Sequence, residues 1–189
     1  MPRPPGPPRR TTAPADLGPG AAGVDRRRLV LERAERDFVA QVVADGGIEP
    51  WRRRVEGRFR SARDALARSG VSRAESAALV VALVDHAVRD RCWQQVDADP
   101  DRGWLVLWRH LARRALPPYR TEPLFLLAWT AWRRGDLATA RVALGCARDQ
   151  DPAHRASLLL GRLLSTGTDP RLLPSLAADR PAPAHRAVP

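Results

Sequence analysis

The segment TEPLFLLAWTAWRRGDLATARVALGCARDQDP, residues 121–152, restricts the fold of this chain more than any other part. Apolar residues recur at helical spacing on both sides of the pair Gly135-Asp136, a combination typical of two helices joined by a turn. The closing Asp-Pro ends the second pattern, because proline cannot continue a helix. Small residues that permit close helix packing occur at Ala128, Ala140 and Ala147. The segment therefore predicts a helical hairpin with a tight seam.

This hairpin resembles a tetratricopeptide repeat. When Thr121 is counted as repeat position one, Ala128 takes the family's Gly position and Pro152 its closing Pro position, whereas Leu124 replaces the early Trp. Arrays of such repeats usually need about three units, and the residues that follow supply at most the beginning of a second one. The sequence therefore predicts a single tetratricopeptide-like hairpin and a cap over residues 117–178.

The preceding part of the chain also carries helical patterns and no convincing strand. Four helices are predicted, over about residues 25–44, 51–70, 72–95 and 102–115. Within the third, Asp85 and Arg89, and likewise His86 and Asp90, are spaced four apart and are expected to pair. The fold class that follows is all-α, an antiparallel array of about six to eight helices.

Domain boundaries follow from composition. Residues 1–24 and 179–189 are rich in proline, lack periodic apolar residues and are predicted to be disordered. The chain between them is predicted to form one helical domain, residues 25–178, in which 25–116 make up a helical bundle.

The formal net charge of +11 suggests an anionic partner. All of this positive charge comes from arginine, since the chain has no lysine, and a GC-rich coding bias accounts for part of the arginine excess. The arginines of the second helix surround its apolar stripe like a solvated coat. The candidates for phosphate contact among them are Arg52, Arg53, Arg54 and Arg58.

A second candidate surface lies on the first helix of the hairpin. The residues proposed to bind a protein partner are Phe125, Trp129, Trp132 and Arg133. An aromatic groove of this kind could hold a partner helix. The alternative is that these rings pack inside the protein against the helix that carries Trp104 and Trp108, whose own spacing is typical of core.

Several function classes lack their signatures. The sequence has no phosphate loop, dinucleotide fingerprint, metal-ligand cluster or nucleophile elbow, so no enzyme activity, cofactor or metal is expected. Cys92 and Cys146 do not make a disulfide scaffold. The N-terminal segment has no apolar core of a signal peptide, and the longest apolar run is too short to cross a bilayer. We therefore expect a cytoplasmic protein without a membrane partner.

Two longer stretches, WLVLWRHLARRALPPY and PLFLLAWTAWRRGDLATARVAL, look like the domain-of-unknown-function 4192 family of high-GC Gram-positive bacteria, the actinobacteria. The resemblance covers roughly residues 73 to 170 and implies ancestry without implying an activity. Family members tend to be longer, with a mixed N-terminal region before these helices. The resemblance therefore implies a truncated paralogue or a miscalled start.

Two functions remain as hypotheses from the sequence. The first is a non-catalytic helical module for protein–protein interaction or scaffolding, favoured by the repeat-like hairpin. The alternative is a nucleic-acid-binding accessory protein that acts through its arginine-rich helical surface.

Overall fold

The computed structural model describes residues 21–173, and this part of the chain is all-helical, without a strand. Eight α-helices and a 3₁₀-helix follow one another within it: α1 (Ala21–Ala44), α2 (Ile48–Leu66), α3 (Arg73–Ala82), α4 (His86–Ala98), α5 (Arg102–Arg114), α6 (Thr121–Arg133), α7 (Leu137–Gln150), α8 (Arg155–Ser165) and the 3₁₀-helix Pro170–Leu172. The predicted fold class is confirmed. The segments predicted to be disordered lie outside the described residues, apart from residues 21–24, which begin α1.

Helix α6 lies at the centre of the C-terminal half. Eleven of its thirteen residues are buried, because α4, α5, α7 and α8 all pack against it. Its apolar residues face every direction, as expected for an enclosed helix.

The predicted hairpin consists of α6 and α7. Gly135 adopts a φ of +78°, a left-handed conformation that favours glycine, and it ends α6. The Asp136 carboxylate then accepts a hydrogen bond from the Thr139 backbone N–H at 3.0 Å and caps α7. The hairpin is therefore confirmed, whereas its kinship with the tetratricopeptide family stays a prediction.

A second part of the core forms where α5 meets α2. Trp104 and Trp108 are buried, as the core interpretation of their spacing predicted, and their rings stack with centroids 5.6 Å apart. Phe59 of α2 lies 5.6 Å from Trp108. Large aromatic rings such as these bury much apolar surface, and they join the N-terminal helices to the rest of the domain.

Helix α1 lies on the outside of this core, against α3 and α2. Leu31 is the only buried residue among its described side chains, and Phe38 makes an edge contact with Trp51 at 4.9 Å. Leu29, Val39 and Val43 of the same helix are exposed. The attachment of α1 therefore depends on one narrow apolar stripe.

The prediction of a continuous helix over residues 72–95 was wrong. The chain breaks after Ala82, and Asp85 caps a new helix by accepting a hydrogen bond from the Val88 backbone N–H at 3.0 Å. Asp85 therefore does not pair with Arg89, which instead contacts Asp90 and Glu122. A capping carboxylate competes with continuation of the helix, because it satisfies backbone donors that the break exposes.

Candidate functional site

The aromatic residues predicted to bind a partner lie inside the domain. Phe125 and Trp132 are fully buried and Trp129 is 3% exposed. Trp93 of α4 covers them from outside, with ring centroids 4.9 Å from both Phe125 and Trp129. In this conformation the rings are therefore not accessible, and a partner-binding role for them stays a prediction.

Arg133, the fourth member of that set, is held by its own chain. Its guanidinium lies 3.2 Å from the buried carboxylate of Asp97 and donates to the carbonyl oxygens of Pro170 and Leu173 at 2.7 and 3.3 Å. The Trp129 indole N–H also donates to Asp97, at 3.0 Å. Asp97 therefore joins α4 to α6, a role that nothing in the sequence pattern indicated, since its partners lie more than thirty residues away.

The arginines of α2 are mostly committed to neighbouring carboxylates. Arg54 contacts Asp45 at 2.7 Å, and Arg58 contacts Glu75 at 2.7 Å. Arg53 is exposed and forms no ion pair within the described residues. Three of the four predicted phosphate contacts are therefore already neutralised, and the phosphate-binding role stays a prediction for this helix.

Arg52 is the most strongly held of this set. Its guanidinium donates to Asp85 at 2.8 Å and also contacts Glu49. The carboxylates of Asp85 and Glu49 together raise the pKa of Arg52 above its usual range. This side chain fastens α2 to the start of α4, which is a structural use of its charge.

A different set of arginines surrounds a cleft of about 370 Å³ between α1, α3 and the C-terminal end of α5. We refer to it as the arginine cleft, and five guanidinium side chains line it: Arg26, Arg27, Arg73, Arg113 and Arg114. None of the other lining residues is acidic, and none of the five arginines forms an ion pair within residues 21–173. Arginines elsewhere, such as Arg52, Arg54 and Arg58, pair with carboxylates, whereas the cleft brings five arginines without such partners around one concave surface.

The end of α5 explains why two of these arginines lie here. Arg113 and Arg114 occupy the last turn of α5, where the unpaired backbone carbonyls favour cations. Arg27 reaches across from α1 and donates to the Arg113 carbonyl oxygen at 3.1 Å. This bond satisfies one of the acceptors that every helix end leaves open, and it holds α1 over the cleft.

Arg114 is oriented by a chain of hydrogen bonds behind the cleft. One of its N–H groups lies 3.1 Å from His110 Nδ1, and His110 Nε2 lies 3.0 Å from the Ser76 hydroxyl. Ser76 in turn donates to the Ser72 carbonyl oxygen at 2.8 Å. Arginine can only donate, so Nδ1 is the acceptor and the imidazole proton is assigned to Nε2. The chain runs unbroken from α5 to the start of α3.

Burial and repulsion between like charges both disfavour the charged forms of groups at the cleft. Burial lowers the pKa of Arg114, and the positive charges of Arg27 and Arg73 lower it further. Burial and the charge of Arg114 lower the pKa of His110 to about 4, so that its ring is neutral at physiological pH. Bringing an anion into the cleft would relieve this repulsion and supply acceptors for several guanidinium groups.

The model of the family described as domain of unknown function (DUF4192) matches residues 7–171. The chain belongs to this family. The matched range includes α1 and α2, which the resemblance over residues 73 to 170 left out, and therefore contains every arginine of the cleft. No curated protein and no solved structure matches the chain.

One further polar cluster in this DUF4192 member has the connectivity of a hydrolase triad. The Ser157 hydroxyl lies 2.7 Å from His154 Nδ1, and His154 Nε2 lies 3.4 Å from Glu122. Ser157 is fully buried, so its hydroxyl has no open path to a substrate. His154 accepts a hydrogen bond from the Ser157 backbone N–H and thereby caps α8, and this is the role that the geometry supports.

The remaining reactive groups are isolated. Burial raises the pKa of the Cys92 thiol, which keeps it protonated, and Cys146 lies exposed on α7. Within residues 21–173, no group of three or more His, Cys, Asp or Glu side chains is placed to bind a metal ion. No helix in this part of the chain has the length and apolar character needed to cross a membrane.

Proposed function

We propose that this DUF4192 member is a non-catalytic binding module that recognises phosphate groups in the arginine cleft. The observation that carries the proposal is the presence of five arginines that form no ion pair within residues 21–173, around one concave surface whose described lining residues include no acidic side chain. Guanidinium groups bind phosphate oxygens in bidentate fashion, and they do so best where no carboxylate competes. The proposal keeps the binding role expected from the sequence and moves it from the aromatic face to the cleft.

The absence of a competing carboxylate separates this cleft from the surface of α2. There, Arg52, Arg54 and Arg58 already have acidic partners, so a phosphate would have to displace them. In the cleft, no ion pair within the described residues has to be broken, and an incoming phosphate lowers the repulsion that Arg27 and Arg73 exert on Arg114. Phosphate recognition of this kind also fits the nucleic-acid hypothesis, since a polynucleotide presents the same groups.

A cytoplasmic location and the absence of catalysis are part of the proposal. The triad-like Ser157 is buried, and Cys92 is both buried and protonated, so neither supports a nucleophilic role. An exposed Cys146 without a disulfide partner is typical of a reducing compartment.

The test is a titration of the full chain with inorganic pyrophosphate, by calorimetry, over a salt series. The cleft variant carries Arg73→Gln and Arg113→Gln, both at exposed positions on the cleft. The matched control carries Arg60→Gln and Arg68→Gln, which remove the same charge from exposed positions on α2 and directly after it.

We expect binding that weakens with salt, that falls at least about tenfold in the cleft variant and that persists in the control. Equal weakening in both variants would mean that only the overall charge matters, and it would overturn the proposal. A lack of binding at low salt would overturn it as well, because phosphate-driven association is strongest there.

A further inference from the structure

The arginine cleft has an apolar floor as well as a charged rim. Leu31, Ala77 and Val80 are buried beneath it and Val30 is half-buried at its side. A site that takes only inorganic phosphate has no use for such a floor. A ligand that fills the whole cleft must therefore combine an anionic part with an apolar or aromatic part.

From this arrangement we infer that the cleft binds a nucleoside diphosphate or triphosphate, with the phosphates among the arginines and the base on the apolar floor. The inference rests on the proposed function and specifies its ligand. The cleft volume of about 370 Å³ lies at the lower end of the range for small-molecule sites, roughly 300–1,000 Å³. Arginine side chains also stack on the faces of bases, so the rim contributes to both parts of the ligand.

A small ligand accounts for the charge distribution better than a polynucleotide does. An extended strand or duplex requires a track of basic residues along the surface, so that successive phosphates are neutralised. The arginines of α2 do not provide such a track, because Arg54, Arg58 and Arg52 are paired with Asp45, Glu75 and Asp85. The arginine cleft, by contrast, gathers five arginines that form no ion pair within residues 21–173 around one concave surface, which suits a compact ligand.

The position of the cleft gives the ligand contacts on three helices. Arg27 of α1, Arg73 of α3 and Arg114 of α5 converge on it, and Arg114 is held in place through His110 and Ser76. Two of these helices, α3 and α5, bury several residues in the core, whereas α1 buries only Leu31 among its described side chains. A bound nucleotide would therefore tie α1 to the domain, and protection of the α1 amides from hydrogen exchange should increase on binding.

The experiment compares three probes on the full chain by calorimetry at low salt: adenosine diphosphate, inorganic pyrophosphate and a short single-stranded oligonucleotide. Val30→Thr makes the apolar side of the cleft, next to the floor, more polar without changing the shape of the side chain. Val39→Thr, at an exposed position on the outer face of the same helix, is its matched control. The Arg73→Gln/Arg113→Gln variant shows whether each probe uses the rim.

We expect adenosine diphosphate to bind about tenfold more tightly than pyrophosphate, because only the nucleotide buries apolar surface. Val30→Thr should weaken nucleotide binding by a few-fold and leave pyrophosphate binding unchanged, while Val39→Thr should change neither. Adenosine diphosphate should lose its binding in the Arg73→Gln/Arg113→Gln variant, because its phosphates depend on the arginine rim.

Other results distinguish a failure of the nucleotide inference from a failure of the proposed phosphate recognition. If pyrophosphate binds in the cleft as tightly as the nucleotide, phosphate recognition stands and the nucleotide inference is wrong. If the oligonucleotide binds more tightly than the nucleotide and needs the same arginines, the ligand is a polynucleotide and the inference is again wrong. If no probe binds, both the inference and the proposed function fail.

Discussion

Helix α6 and helix α1 are held in the molecule in opposite ways. Eleven of the thirteen residues of α6 are buried among four neighbouring helices, whereas α1, with twenty-four residues, buries only Leu31 among its described side chains. The polar groups differ in the same sense, since Asp97 binds Trp129 and Arg133 of α6, while α1 brings Arg26 and Arg27 towards other arginines. The contacts of α6 therefore stabilise the fold, whereas the arginines of α1 repel their neighbours in a way that a bound anion would relieve.

Among the substitutions that test this difference between α6 and α1, Trp132→Ala in α6 should have the largest effect on stability. Its ring is fully buried and contacts Trp129 at a centroid distance of 5.0 Å. Truncation would leave a large cavity, and we expect the free energy of unfolding to fall by about 3–5 kcal/mol. Chemical denaturation measures this, with the exposed Val142→Ala of α7 as the control. A loss below about 1 kcal/mol would show that the ring is not core and would revive the partner-binding hypothesis.

For α1 we expect a smaller and more local effect. Leu31→Ala removes its one buried anchor, yet the cost cannot exceed the free energy that keeps α1 docked. We expect a loss of about 1–2 kcal/mol in docking of α1, seen as faster hydrogen exchange of its amides while the amides of α6 are unaffected. The matched control is Leu29→Ala, at an exposed position of the same helix. Equal acceleration in α1 and α6 would mean that the two helices unfold as one unit.

The same contrast explains what the sequence could predict. The hairpin of α6 and α7 depends on local signals, namely the apolar period, the Gly135-Asp136 turn and the closing proline, and these lie within one stretch of chain. The arginine cleft joins Arg27, Arg73 and Arg114 from three distant segments, and each has the local appearance of an ordinary surface arginine. An arginine is available to a ligand only if no carboxylate pairs with it, and ion pairs of this kind depend on tertiary contacts such as that of Arg58 with Glu75.

The break between α3 and α4 shows the same limitation on a smaller scale. Asp85 and Arg89 have ideal spacing for a helical ion pair, so local rules favoured a continuous helix. In the structure Asp85 caps α4 and binds Arg52 from α2, thirty-three residues earlier in the chain. A tertiary partner on α2 together with a local cap outweighs one exposed ion pair, which contributes only about 0.3–0.5 kcal/mol.

Lowering the pH should reduce the free energy of unfolding through His110, which lies behind the cleft. Its pKa in the folded protein is about 4, against an ordinary value of 6.5, because burial and Arg114 disfavour its charged form. Between these two pH values the unfolded chain binds a proton that the folded chain does not, so the free energy of unfolding falls as the pH falls. We expect a loss on the order of 1 kcal/mol after allowance for partial exposure.

The measurement is the difference in unfolding free energy between the parent protein and His110→Gln at several pH values. Glutamine cannot titrate but can still accept from Arg114 and donate to Ser76, so the difference isolates the imidazole. The parent should lose stability relative to the variant between pH 6.5 and 4, and the difference should be constant above pH 7. A constant difference over the whole range would contradict the neutral assignment of His110.

The smallest effect, and the one that links the cleft to its function, is expected for Arg73→Gln in the absence of ligand. Arg73 adds to the repulsion felt by Arg114 and also places a positive charge in the first turn of α3. Its removal should therefore raise the free energy of unfolding at low salt, by about 0.2–1 kcal/mol. High salt should abolish the gain, because screening weakens interactions between exposed charges.

Arg102→Gln is the matched control for that substitution. Arg102 holds the corresponding first position of α5, is exposed and makes no ion pair within the described residues, but it lies outside the cleft. Both variants remove a cation from the start of a helix, so any excess stabilisation in Arg73→Gln measures the repulsion inside the cleft. If that variant is more stable than its control and also binds pyrophosphate less well, stability has been exchanged for binding at one site. Identical stabilities would mean that the arginines of the cleft do not repel one another, and the charge argument for a phosphate ligand would then lose its basis.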